Sequence, residues 1–203
     1  MTYATHKAGG ALFALTGFAI LSKTTLISPE IEPLLALTLM YPASSFGSTF
    51  PDLDHGWNSI KEHTPVSWVV HKIISITKPR HRSWQTHSLS ISLVGIALMY
   101  LMLWLWNTNQ WFGTSQISLS IIFLLITGFS LGVLSHLFLD LFTRAGIWLV
   151  PGVKIRLVPD NETFSTDSKG TYETIWRVVL YVLDAILFIW ILNPFGIQQM
   201  IFG

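Results

Sequence analysis

Uncharged stretches of bilayer length alternate along this chain with short polar segments. Ser88 to Trp106 carries no charge, and Ile117 to Phe142 is equally apolar until His136 and Asp140 near its end. Ile175 to Leu192 is a third such run, with Arg177 at its start and Asp184 in its middle. Ala8 to Ser22 is shorter but apolar, and Pro33 to Phe50 is uncharged with Gly and Ser toward its end. About 20 mostly apolar residues take a helix across the hydrocarbon core. The pattern therefore predicts an all-α, polytopic membrane bundle of about five transmembrane spans.

Between the spans, Val66, Val69, Val70, Ile73 and Ile74 recur at helical spacing, with His71 and Lys72 off that stripe. This reads as a short interfacial helix on the inner leaflet; a soluble loop helix packed on the bundle has the same periodicity. Val153 to Val158 alternates with Lys154 and Arg156 after a Pro-Gly turn, which predicts a short cytoplasmic hairpin. The sequon Asn161-Glu162-Thr163 has no meaning on the cytoplasmic side. There is no internal repeat, so residues 1–203 read as a single membrane-embedded domain. Ser22-Lys23-Thr24 offers no small-x-small cleavage signature, and the first span is expected to stay.

Composition agrees with the pattern. Of the 203 residues, 51% are hydrophobic and 11% are charged, against about 25% charged in an average globular domain. A net charge of +1 is no nucleic-acid footprint. The chain has no cysteine, so any tight metal site must come from His, Asp and Glu.

Where the charges fall sets the orientation. With the N-terminus inside, Lys7, Lys61, Lys72, Lys78, Arg80, Arg82, Arg144, Lys154, Arg156, Lys169 and Arg177 are all cytoplasmic. Only Lys23 falls outside, so eleven of the twelve basic residues obey the positive-inside rule. Asn107 to Gln116 is uncharged, as a short translocated loop should be. Trp104, Trp106 and Trp111 then mark the outer interface, and Trp57, Trp84, Trp148 and Trp176 the inner one.

On this topology the unusual polar residues meet at one face. His6 precedes the first span; Asp52, Asp54 and His55 follow the second; His81 and His87 precede the third; His136 and Asp140 end the fourth. His136 and Asp140 are four apart, so a helix stacks them on one side. Asp52 and Asp54 share a turn begun by Pro51, so one can bind metal while the other orients a His or a water. Imidazole and carboxylate without thiolate suit zinc, manganese or iron, and so many carboxylates allow more than one ion. Each piece has a plainer explanation. Asp54-His55 suits an N-cap, Lys78 to Arg82 an anchor on lipid phosphates, and His136 with Asp140 a buried pair between helices. Separately these suffice; they do not explain four segments converging. His63 and His71 lack such company and read as ordinary interfacial residues. Asp184, near mid-bilayer, is not assigned to the site.

His6, Pro51-Asp52-Leu53-Asp54-His55, His81-Arg82 with Thr86-His87-Ser88, and Ser135-His136-Leu137-Phe138-Leu139-Asp140 together resemble a bacterial motif set. Thr143-Arg144-Ala145-Gly146 with Pro151 extends it. They are similar to the motifs of the LexA-regulated, membrane-bound metal-dependent hydrolases of YdjM type, from His6 to about Glu173. Ser83-Trp84-Gln85 departs from that pattern, which usually has a Gly after the Arg and a shorter gap. The family is distantly similar to zinc-dependent phospholipases C and single-strand nucleases, whose His-x-x-x-Asp ligand pair resembles His136 and Asp140.

The resemblance implies phosphoester hydrolysis in the bacterial inner membrane, with one to three ions, zinc foremost. Lipid or a lipid-linked phosphoester at the inner leaflet is the expected substrate. The expected ligands are His6, Asp52, Asp54, His55, His81, His87, His136 and Asp140. One of Asp52 and Asp54 is expected to take the proton of the attacking water, and Arg82 and Arg144 to grip phosphate oxygens. Two rival readings keep the metal. A nuclease on single-stranded nucleic acid needs stacking aromatics in a basic channel, for which Trp84 and Trp148 are available. A transporter or sensor without hydrolysis needs ligands along a path at mid-bilayer, for which only Asp184 speaks.

Overall fold

A computed structural model describes residues 2–24, 26, 31–55, 64–76, 82–109, 115–158 and 170–192. Among these, α1 (Tyr3–Leu21) and α2 (Pro33–Gly47) lead into a 3-10 turn at Phe50–Asp54. Then come α3 (Pro65–Ile76), α4 (Leu89–Asn109), α5 (Gln116–Asp140), the strands β1 (Ile147–Val150) and β2 (Val153–Ile155), and α6 (Thr171–Leu192). The protein is mostly helical, as its apolar runs require.

Three helices, α4, α5 and α6, are long and apolar enough to cross a membrane. The other two expected spans do not meet that measure, for identifiable reasons. α2 has 15 residues, about 22 Å at 1.5 Å per residue, short of a hydrocarbon core of about 30 Å. α1 has 19 residues, but its first turns hold Thr5, His6 and Lys7.

α5 is the central element, and α1, α2 and α4 all pack on it. Its contact with α2 is made by backbone. A Cβ on Gly132 would lie 2.1 Å from the Ser44 carbonyl oxygen, and one on Gly128 would lie 2.4 Å from that of Met40. Small residues bring helices together in this way where lipid supplies no hydrophobic drive between them. α1 joins through the Ser44 hydroxyl, which donates to the Gly10 carbonyl at 2.7 Å. Away from the polar end, Leu15, Phe18, Leu37, Met40, Leu124 and Ile191 form the apolar core. The first turn of α6 anchors the start of α1: buried Glu173 accepts from the Thr2 amide and, at 2.9 Å, from the Thr5 hydroxyl. α4 has no buried residue and touches the bundle mainly along α5, with Tyr100 and Thr127 hydroxyls 2.8 Å apart.

The expected hairpin is present. β1 and β2 pair antiparallel, Ile147 with Ile155 and Trp148 with Lys154, around Gly152 at φ 93°. It clamps the loop before α4, since the Trp148 amide donates to the His87 carbonyl at 2.9 Å and its indole N–H to the Arg82 carbonyl at 3.1 Å. Trp148, expected as an inner-interface anchor, also braces the polar loop.

Candidate metal centre

Gly128, Gly132, His136 and Asp140 follow one another at intervals of four along α5. Four residues advance a helix by slightly more than one turn, so the stripe that lets α2 approach continues directly into the two polar side chains. The approach has a chemical result. The carbonyl of Ser48, just past the end of α2, comes within 2.7 Å of His136 Nδ1. A carbonyl only accepts, so Nδ1 carries the proton and Nε2 keeps its lone pair.

His87 is treated likewise by a different device. The Thr86 hydroxyl donates to Asp54 Oδ2 at 2.6 Å and lies 2.9 Å from His87 Nδ1. With its proton given to the carboxylate, that hydroxyl is left to accept from Nδ1–H, so His87 Nε2 faces the cluster with its lone pair. The two Nε2 atoms face each other at 3.3 Å. Two lone pairs at that distance repel, and a cation between them relieves this, whether a proton shared by the two nitrogens or a metal ion. Asp52 Oδ1 is 3.5 Å from His87 Nε2 and 3.8 Å from His136 Nε2. Tetrahedral zinc with bonds of about 2.0–2.1 Å places its ligand atoms about 3.3–3.4 Å apart. The triangle Asp52, His87, His136 therefore has nearly the edges such an ion requires.

A second triad shares one member. His6, His136 and Asp140 also bring one ligand atom each within 4.8 Å of one another. The His6 ring stacks on His136 with centroids 3.8 Å apart, and its Nε2 lies 3.5 Å from Asp140 Oδ1. The other carboxylate oxygen of Asp140 is 3.6 Å from His136 Nε2 and 3.7 Å from His87 Nε2. His6, His87, His136 and Asp140 are all buried. Both nitrogens of His6 and Oδ2 of Asp140 have no hydrogen-bond partner, which is costly for buried polar atoms. A cation would give His6 Nε2 and Asp140 Oδ2 a partner, and the donor set fits a divalent transition ion.

Asp52 differs from the others in having a side chain 30% exposed, so the cluster reaches solvent there. Burial pushes its carboxyl up, but His136, His87 and His6 outweigh burial and hold it well below the usual carboxylate range.

The other expected site residues fare unequally. Asp54 belongs to neither triad; its Oδ2 accepts the Thr86 hydroxyl and the Arg82 amide and lies 3.7 Å from His87 Nδ1. His55 closes the 3-10 turn, its amide donating to the Asp52 carbonyl, and it too is outside both triads. His81, like His63, lies outside the described residues. Arg82, expected to grip substrate, instead directs its guanidinium to Asp140 at 3.4 Å and to the Thr143 hydroxyl at 3.0 Å. It does so from a left-handed backbone, φ 58°. Arg144 is exposed, and no described contact brings it to the cluster. His71, read as an ordinary interfacial residue, donates from Nδ1 to the Leu53 carbonyl at 2.8 Å, between the two aspartates. Asp184 lines a separate apolar cavity of about 690 Å³ with Leu15, Leu37, Tyr41 and Phe188.

Sequence reasoning missed Ser48, Thr143 and the Gly128–Gly132 pair. The small-x-x-x-small spacing one turn before His136 was the available signal. Thr143 stood in the quoted motif without a role, and nothing in the sequence marks a carbonyl such as that of Ser48.

Fold and cluster together define a helical membrane protein with a buried histidine–aspartate site of metal-binding character at one end of its bundle. The chain belongs to the YdjM inner membrane protein family, whose pattern it matches over residues 1–197. No curated protein and no solved structure matches it.

Proposed function

We propose that this protein is a metal-dependent hydrolase of the inner membrane, cleaving a phosphoester of lipid or a lipid-linked substrate at the cytoplasmic leaflet. The observation that carries the metal is the convergence of buried His87 and His136 Nε2 atoms, 3.3 Å apart, with Asp52 in one ligand triad, and of His6 and Asp140 with His136 in a second. The substrate class comes from the sequence resemblance to zinc phospholipases C and from the exposure of Asp52 at the polar end of the bundle. In this reading α1 and α2 complete a five-span bundle, the N-terminus is cytoplasmic, and zinc is the metal.

Asp52, His87 and His136 would hold one ion, with Asp140 beside them. His6 and Asp140 would be the residues that hold any second ion. A bound divalent ion lowers the pKa of a coordinated water and neutralises charge developing on phosphate. The chain's own groups set that arrangement up. Ser48 and the Asp54–Thr86 relay fix the two imidazole tautomers, a role that neighbours of metal ligands commonly play. Arg82 and Thr143 hold Asp140. The low pKa of Asp52 suits a ligand and makes it a poor general base, and Asp54 is engaged in orientation. We therefore assign neither aspartate the role of a separate base.

Two features weigh against the rival readings. Lys154 lies over the Trp148 ring, 4.8 Å from its centroid, and the indole N–H holds the Arg82 carbonyl, so one face that the nuclease reading would use is occupied. The only triads among the described residues lie at one end of the bundle, whereas a transporter needs ligands along a path. The test is elemental analysis of the purified protein, followed by release of phosphorylated headgroup from phospholipids, and of phosphate from lipid-linked phosphomonoesters, in nanodiscs. Bound zinc and turnover that both vanish in His136→Ala support the reading. Bound zinc without turnover on any phosphoester would leave a metal-binding protein and end the hydrolase proposal.

A further inference from the structure

Among the described helices, α3 alone has the Phe50–Asp54 turn as its principal neighbour. Its two sides differ. Ser67 is buried, and His71 one turn later donates to the carbonyl of Leu53, the buried residue between Asp52 and Asp54. On the far side Val66, Val69, Ile73 and Ile76, spaced three, four and three apart, form one apolar stripe, with Ile73 60% and Ile76 78% exposed. Exposed Trp68 and Lys72 flank this stripe, the ammonium 5.9 Å from the indole centroid.

The occupant of that stripe follows from where α3 is tied. It is bonded to the 3-10 turn beyond α2 and precedes α4, a helix with no buried residue that is long and apolar enough to cross a membrane. A helix held at that level, apolar below and edged by a tryptophan and a lysine, has the build of a segment lying in the headgroup boundary. Lys72 adds a cation where anionic headgroups sit. We propose that α3 is a membrane-seated arm: phospholipid of the inner leaflet holds its apolar stripe, and the His71–Leu53 hydrogen bond passes that seating to the Asp52–Asp54 turn. His71 is thus a positioning residue, acting through the backbone between the two aspartates. This deepens the hydrolase reading and rests on its view of which bundle end faces the substrate leaflet.

The test uses the full chain, which lacks cysteine, in phosphatidylcholine–phosphatidylglycerol nanodiscs. A bimane on Ile73→Cys should be quenched by brominated lipid and shielded from aqueous iodide, and one on Ser75→Cys should behave oppositely. Hydrogen exchange of the 50–55 segment should rise at least tenfold in His71→Ala and return toward normal in His71→Gln, which restores a donor. Exchange along α5 serves as the check that each variant is folded. Iodide quenching at position 73 would overturn the membrane seating. Unchanged exchange at 50–55 in a folded His71→Ala would overturn the coupling. Both readouts are independent of turnover, so a failed hydrolase assay leaves them intact and their failure leaves that assay intact.

Discussion

Replacing Gly132 by Ala should damage the proposed metal centre from one turn away. The added Cβ would stand 2.1 Å from the Ser44 carbonyl oxygen and 2.7 Å from the Ser48 amide nitrogen. Both are backbone, so no side-chain rotation relieves the clash. Ordinary contact begins at 3.4 Å, so 2.1 must open to 3.4 and the end of α2 must withdraw by about 1.3 Å. The bond from His136 Nδ1 to the Ser48 carbonyl, now 2.7 Å, then stretches toward about 4 Å, beyond any useful hydrogen bond. Overpacking of this kind costs about 1–3 kcal/mol of stability. Losing the partner that orients a histidine ligand typically lowers metal affinity by about 10–100-fold. Gly95→Ala is the internal control, because a Cβ there meets nothing within 4 Å; in mid-helix it should be neutral or stabilise by up to about 1 kcal/mol. Zinc affinity measured by chelator competition in detergent, beside thermal unfolding of both variants, decides the matter. Should Gly132→Ala match Gly95→Ala in zinc affinity, the proposed link between helix approach and imidazole orientation is wrong.

Three further outcomes are expected. Thr86→Val keeps the side-chain shape but breaks the Asp54–Thr86–His87 chain, so zinc affinity should fall about 10–100-fold and recover in Thr86→Ser; equal affinity in Val and Ser variants would show that the hydroxyl does nothing. In metal-free protein, Asp52 binds fewer protons folded than unfolded, because surrounding histidines depress its carboxyl. Its stabilising contribution is present above the ordinary aspartate pKa of about 3.9 and is lost as pH falls through the lower folded value. Acid unfolding curves of wild type should therefore fall more steeply than those of Asp52→Asn in that window, and parallel curves would refute the assignment. Cysteines placed in 107–116 should label from outside intact cells, whereas cysteines at Lys61 or Ser165 should not; external labelling at Lys61 would reverse the orientation.

Much of the architecture was legible before any coordinates. Uncharged runs of about 20 residues admit little besides bilayer-length helices, because hydrocarbon offers backbone groups no water to bond. Pro151-Gly152 marked the hairpin, since a glycine tolerates the positive φ of its turn. The spacing of His136 and Asp140 placed both on one helix face, and topology alone brought His6, Asp52 and His87 to the same end. What pattern could not decide was which polar groups at that end point at one another. Asp52 and Asp54 are two residues apart and chemically identical, yet one faces imidazole Nε2 atoms and the other holds Thr86 and the Arg82 amide. Arg82 looked like a phosphate grip and is joined to Asp140 because its left-handed backbone turns it inward. These assignments depend on the distance between two helix backbones, set by Gly128 and Gly132 against α2. A sequence records that such residues are small, but only packing in three dimensions determines which carbonyl the closeness delivers to which ring.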